Sequence, residues 1–157
     1  MNYVEGLIPK EYGSYAGEIP GARQFLNSLD KASALWAIVT SCTHTLMCGW
    51  LDRMSLSRPP VSVAAEDVSA GKPDPACYRL GRERIGLAEE QEVLVFEDAP
   101  AGVRAGKAAG CMVLGLATTH DSGRLKDAGA DWVVKDLRSV ELVGKREDRW
   151  EISIEEI

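Results

Sequence analysis

The chain has 157 residues, 45% apolar and 6% aromatic, with Lys+Arg 18 against Asp+Glu 24 and a formal net charge of −6. This is the length of one domain able to bury a core, and the apolar content excludes an intrinsically disordered chain. The acidic balance excludes nucleic-acid or anionic-membrane binding driven by bulk charge. Four scattered cysteines, Cys42, Cys48, Cys77 and Cys111, with no signal-like start, fit free thiols in a reducing, cytoplasmic compartment.

In chain order, residues 1–17 (MNYVEGLIPKEYGSYAG) show no sustained period and read as the end of some other element. A helix is predicted from Pro20, with Ala22, Phe25, Leu26 and Leu29 on one stripe. Leu35 to Val39 is a strand-length apolar run, and Leu46, Met47, Trp50, Leu51 and Met54 then recur at helical spacing. The 20 residues from Ala32 to Leu51 carry no formal charge, the length of a membrane span, but the polar run Thr40, Ser41, Thr43, His44, Thr45 lies at its middle. A strand, a polar turn and an amphipathic helix explain the segment better.

The unit then repeats. Val61 to Ala64 predicts a strand, Gly71-Lys72-Pro73 a loop and Tyr78 to Ile85 a helix. Val93 to Phe96 predicts a strand, followed by Glu97-Asp98 and a helix from Pro100 to Ala109 ending at Gly110. Met112 to Leu116, a helix near Ser122 to Ala128, and Trp132 to Val134 complete the alternation. Near-continuous apolar strands between helices predict an α/β, Rossmann-like parallel sheet with helices on both faces. In the tail, Trp150, Ile152 and Ile154 alternate with polar residues, as in a half-exposed strand.

In such a sheet ligands sit at the carboxyl ends of the strands. Those ends carry Thr40 and Ser41, the Lys72 loop, Glu97 and Asp98, and Thr118 and Thr119. Hydroxyls, a lysine and paired carboxylates on one rim suit a phosphate and a hard divalent cation. Each piece also has a bland explanation. Thr40 or Ser41 could N-cap the next helix, Lys72 could be a solvated turn residue, and Asp98 could N-cap the helix at Pro100 with Glu97 an exposed neighbour.

The order and spacing of these pieces resemble the haloacid dehalogenase superfamily. The resemblance lies in Thr40-Ser41 after a strand, Glu66-Asp67-Val68 with Gly71-Lys72-Pro73-Asp74-Pro75, and Val95-Phe96-Glu97-Asp98-Ala99-Pro100-Ala101-Gly102 with Ala108-Ala109-Gly110. Within the superfamily the chain is similar to fungal glycerol-phosphate phosphatases and their 2-deoxyglucose-6-phosphate phosphatase relatives. The resemblance implies a phosphomonoester hydrolase of a small phosphorylated polyol or sugar. It implies Thr40 and Ser41 as phosphate-binding, with Thr40 the motif-two hydroxyl. It implies Lys72 as the catalytic motif-three lysine, and Glu97 and Asp98 as the acids for Mg²⁺, Asp98 favoured as the direct ligand.

The chain departs from that family in its first motif, and in carrying Cys42 and His44 in the motif-two loop where the resembled enzymes tend to have a glycine and a basic residue. The family's nucleophile and general acid/base lie in a first-strand Asp-x-Asp motif, and the 157 residues contain none. The resemblance therefore implies residues 1–17 as the remnant of a cap domain, and 18–157 as an incomplete core lacking the first strand and most of the cap. That strand belongs at the sheet centre, between those ending at Thr40 and Phe96. Without it the two must pair directly, recruit a partner or expose unpaired edges, and the isolated chain is expected to be poorly stable or to self-associate. A catalytically inactive phosphate-binding or interaction protein keeping the same rim is the competing reading.

Other phosphate chemistries fit less well. Gly102-Val103-Arg104-Ala105-Gly106-Lys107-Ala108 has the wrong glycine spacing for a P-loop and Ala where Ser or Thr belongs. No cysteine opens a Cys-x5-Arg loop, and two histidines, His44 and His120, give little support for zinc or a Ser-His-Asp triad. A Cys42–His44 thiolate pair is less economical than adjacent polar loop residues.

Overall fold

The apolar runs that precede polar loops all become parallel strands in the computed structural model, which describes residues 2–157, with side chains from residue 4 onward. Helix α1 spans Asn2–Tyr12, α2 Ala22–Lys31, β1 Ala37–Val39, α3 His44–Met54 and β2 Val61–Val63. They are followed by α4 Ala76–Ile85, β3 Leu94–Glu97, α5 Pro100–Ala108, β4 Met112–Leu116, α6 Ser122–Asp127 and β5 Trp132–Val134. The chain ends in β6 Val140–Arg146 and β7 Arg149–Ile154.

The two ends of the chain are more regular than their sequence suggests. The N-terminal residues form helix α1 even though their sequence lacks a helical period. Its stability comes from packing on α3: Pro9 is fully buried and sits where a side chain at Gly49 would go, with Pro9 Cγ 2.9 Å from that Cβ position. Tertiary contact here overrides weak propensity and a proline inside the helix. The half-exposed tail strand is present as β7, and it pairs antiparallel with β6 in a hairpin whose register shifts between Leu142 and Gly144.

The parallel strands form two sheets rather than one. β1 pairs with β2, and β3, β4 and β5 form the order β3-β4-β5, with no ladder joining β1 to β3. The free edges expected on both sides of that seam are therefore present.

The core lies on both faces of the larger sheet because side chains alternate along each strand. Val95, Val113 and Val133 join Val63, Tyr78 and Val103 on the face covered by α4 and α5. Leu94, Phe96, Leu114 and Val134 join Phe25 and Val140 on the other. There the Phe25 and Phe96 rings lie 5.1 Å apart and seat α2 against the sheet. Gly21 precedes α2 with φ of 86°, and a Cβ there would overlap the Leu137–Arg138 backbone, so only glycine lets the chain enter α2 at this point.

Candidate phosphate-binding site

The carboxyl ends of β1 and β3 open into one cavity of about 480 Å³, bordered by Thr40 and Ser41, by Lys72, and by Glu97 and Asp98. Thr40, Ser41, Lys72, Glu97 and Asp98 thus meet at one mouth, whereas Thr118 and Thr119, also expected on the rim, do not line it. A second hollow of about 480 Å³ lies between α2 and β6, lined by Gln24, Ser28, Arg138 and Glu141, and has no such grouping.

Local geometry removes the bland explanations. The N-cap of α3 is Thr43, whose hydroxyl accepts from Leu46 N–H at 3.2 Å and donates to Glu5, so neither Thr40 nor Ser41 is needed as a cap. Thr40 Oγ1 instead accepts from Cys42 N–H at 3.2 Å and lies 3.2 Å from Cys42 Sγ, which fixes the loop after β1. Ser41 is exposed. Asp98 does not cap α5, because the N-cap is Ala99, with Pro100 opening the helix. His44 is engaged with Asp67, Nε2 to Oδ2 at 2.7 Å, so no Cys42–His44 pair forms. Arg84 also donates to Asp67, and that bond, with the Ala64 amide, holds its carboxyl well below the usual carboxylate range.

Lys72 is not a solvated turn residue. Its side chain is only 12% exposed, and Nζ donates to the Val39 carbonyl at 3.2 Å and to Glu97 Oε1. The Glu97 side chain is 7% exposed and also accepts from Tyr78 Oη, while Lys72 Nζ stands 4.9 Å over the Tyr78 ring. Burial first, then the Glu97 charge, pushes the Tyr78 phenol up, so it stays a donor. A Cβ at Gly102 would overlap the Glu97 carboxylate, so the glycine on the first turn of α5 makes room for this inward-turned acid.

Asp98 faces the opposite side of the mouth. Thr119 Oγ1 lies 2.9 Å from Asp98 Oδ2 and 3.0 Å from its carbonyl, and His120 Nδ1 lies 3.1 Å from the same carbonyl. Glu97 is thus the counter-ion of Lys72, and Asp98 is the acid presented to the rim. Among the described residues no third His, Cys, Asp or Glu joins them in a metal-binding group. This donor set falls short of the near-octahedral oxygen shell that Mg²⁺ demands, so these residues do not build a complete metal site.

Tyr78 and Gly102 are the site residues that motif reasoning missed, while Thr119 was read as a rim hydroxyl without a further role. Thr119 had a signal, since it follows a strand. The signal for Tyr78 was weaker: it lies in the first turn of the helix after Lys72. Gly102 carried none beyond being a glycine in a helix.

Parallel strands with hydroxyls, a lysine and an acid pair at their carboxyl ends make a rim of a kind that can hold a phosphate. The pattern of the haloacid dehalogenase-like hydrolases matches residues 9–116, and the chain belongs to that family. It is 42% identical to glycerol-1-phosphate phosphohydrolase 1 of Saccharomyces cerevisiae over 89% of this chain and 59% of the relative. It is 39% identical to 2-deoxyglucose-6-phosphate phosphatase 1 of the same yeast, over 92% and 65%. Among solved structures, a hydrolase from Pseudomonas syringae superposes with a TM-score of 0.74 at 29% identity, covering 84% of this chain and 64% of that one. The chain thus spans about three fifths of the length of these relatives.

Among the described residues no helix is long and apolar enough to cross a membrane, and the four cysteines are unpaired. Burial pushes the Cys77 and Cys111 thiols up, which favours the protonated form of both.

Proposed function

We propose that these residues form the phosphate-binding part of a cytoplasmic phosphomonoester hydrolase acting on small polyol or sugar phosphates, of the glycerol phosphate or 2-deoxyglucose 6-phosphate type. The observation that carries this reading is the buried Lys72 at the mouth bordered by Thr40, Ser41 and Asp98. Lys72 offsets phosphate charge, and its Glu97 and Tyr78 contacts hold the ammonium in place before any ligand arrives. The Thr40 and Ser41 hydroxyls and the loop amides orient the phosphate oxygens. Asp98 is the residue directed toward Mg²⁺, whose shell needs oxygen ligands beyond this pair; when bound, the ion neutralises charge on the transferring phosphoryl group. Residues 1–17 belong, in this reading, to a cap, and 18–157 to the core.

In this family's chemistry a carboxylate oxygen forms a bond to phosphorus as the P–O bond to the alcohol breaks, and water then cleaves the acyl phosphate. The residues here bind and orient for that step, and no Asp-x-Asp is among them. A second reading is an inactive phosphate binder with the same rim.

Both are tested with the 157-residue protein. Titration with inorganic phosphate, followed by ³¹P and amide NMR, is expected to show saturable binding that weakens at least about tenfold in Lys72→Ala, the loss of one charge-assisted contact. Absence of binding sinks both readings. With Mg²⁺ and p-nitrophenyl phosphate, turnover is expected to equal the Lys72→Ala background. Restoring turnover by adding an Asp-x-Asp-bearing segment supports the hydrolase, and its failure to do so supports the inactive binder.

A further inference from the structure

We infer that the groove between α2 and β6 is a docking site for an extended peptide, which adds as an antiparallel strand to the free edge of β6 and sets an apolar, a basic and an apolar residue opposite Leu142, Glu141 and Val140. The inference concerns a hollow separate from the Lys72 mouth and does not rest on the phosphatase reading.

The phase of the hairpin ladder shows which backbone groups are free. Val140 lies opposite Ile154, so Ser139 lies opposite Glu155, and Glu155 N–H donates to Ser139 O at 2.9 Å. In an antiparallel ladder hydrogen-bonded and non-hydrogen-bonded pairs alternate, so Ser139 and Glu141 are turned to β7 while Val140 and Leu142 turn their polar groups away from it. The Val140 N–H is taken by the Leu137 carbonyl. The Val140 carbonyl and both polar groups of Leu142 are left for an incoming strand.

The hollow lies along that edge. It is lined by Val140 and Leu142, whose side chains join the core, and also by Glu141, whose side chain is exposed, so it runs beside the strand and not over one of its faces. Gln24, Phe25 and Ser28 of α2 form the opposite wall. A strand residue takes roughly 160 Å³, from a rise of about 3.3 Å, a strand spacing of about 4.8 Å and a sheet thickness of about 10 Å. The hollow of about 480 Å³ thus accepts about three residues. The register shift between Leu142 and Gly144 ends the regular edge after Leu142, which sets the same limit independently.

Chemistry names the occupant. Residues opposite Val140 and Leu142 turn their side chains to the same face as these two, the face on which Phe25 is buried, so they are apolar. The residue between them stands directly across from exposed Glu141. Opposite charges at facing positions stabilise a ladder and like charges destabilise it, so that residue is Lys or Arg. The net charge of −6 also favours encounter with a basic segment. A second copy of this chain is a poor occupant. Its β6 would set Glu141 against Glu141, and its β7 brings Glu151 or Ser153 between apolar neighbours, and no base.

The test uses the whole 157-residue protein and the end-blocked peptide Ser-Gly-Val-Lys-Val-Gly-Ser, followed by amide NMR. Saturable one-to-one shifts are expected at Gln24, Ser28, Val140 and Leu142. Exchanging the peptide's lysine for glutamate is expected to weaken binding about fivefold, and in Glu141→Lys the preference between the two peptides is expected to reverse. N-methylating both valines removes the donors to the Val140 and Leu142 carbonyls and is expected to weaken binding about tenfold or more. N-methylating the lysine alone, whose N–H points away from β6, is expected to change affinity by less than about twofold. No saturable binding, shifts confined to the Lys72 mouth, equal binding of the valine-methylated peptide, or an unreversed preference in Glu141→Lys would each overturn the inference. The peptide changes leave the protein unaltered, so the test survives if Glu141→Lys does not fold.

Discussion

The β3–β4–β5 sheet and the β1–β2 pair are built from the same kind of short apolar run, yet they end in different states. β4 is paired on both sides, and Val113 and Leu114 are 0% and 1% exposed. β1 is paired on one side only, and Ala37, Ile38 and Val39 all remain half-buried. The three-stranded sheet carries most of the packing. The chemistry gathers at the open seam, where Thr40, Lys72 and Asp98 have a cavity between them.

That contrast can be broken by stability measurements. Leu114→Ala is expected to cost about 4 kcal/mol in urea unfolding, because a fully buried side chain leaves a cavity that the paired sheet cannot collapse. Ile38→Ala at the seam is expected to cost about 1 kcal/mol. Equal costs would show that the two sheets are not energetically distinct.

Lys72→Met is expected to destabilise by about 3 kcal/mol, since it leaves Glu97 buried without its counter-ion, and adding Glu97→Gln is expected to recover most of the loss. A double variant no more stable than the single one would mean that the pair is not the unit that matters. Gly102→Ala is expected to cost about 2 kcal/mol, because its Cβ needs the space that the Glu97 carboxylate fills. Amide shifts at Lys72 and Tyr78 would report whether the acid is pushed aside.

The mildest change is expected at Asp136, two residues beyond the carboxyl end of β5. Bonds from Arg138, side chain first and then backbone N–H, lower its carboxyl to about 2. A depressed folded-state value means that the stabilisation is present above the unfolded value of about 3.9 and is lost as pH falls through about 2. Acid titration of stability should therefore be shallower between about pH 4 and pH 2 in Asp136→Asn than in the parent protein. An identical slope would remove Asp136 from the account.

Much of the fold was legible because strand-length apolar runs followed by polar loops leave few alternatives. Met112 to Leu116 and Trp132 to Val134 have their expected bounds. Helix α1 was not legible, since its stability comes from Pro9 meeting Gly49 some forty residues away. Strand β6 was missed because Val140 to Arg146 includes a glycine and two charges near its end, and only pairing with β7 makes it a strand. In the site, the spacing of Thr40, Lys72 and Asp98 was readable. The pairing of Glu97 with Lys72 and Tyr78 was not, because a carboxylate's direction depends on which neighbour leaves room for it.

By itself the sequence determined the alternation of strands and helices, the family and the set of polar residues that follow the strands. These depend on local period and residue type, which a linear chain carries in full. Only the tertiary structure decided that the parallel strands divide into two sheets, that Glu97 turns inward while Asp98 faces the rim, and that Lys72 spans the seam. Those outcomes depend on distances between residues far apart in the chain, where burial, hydrogen-bond phase and excluded volume act together.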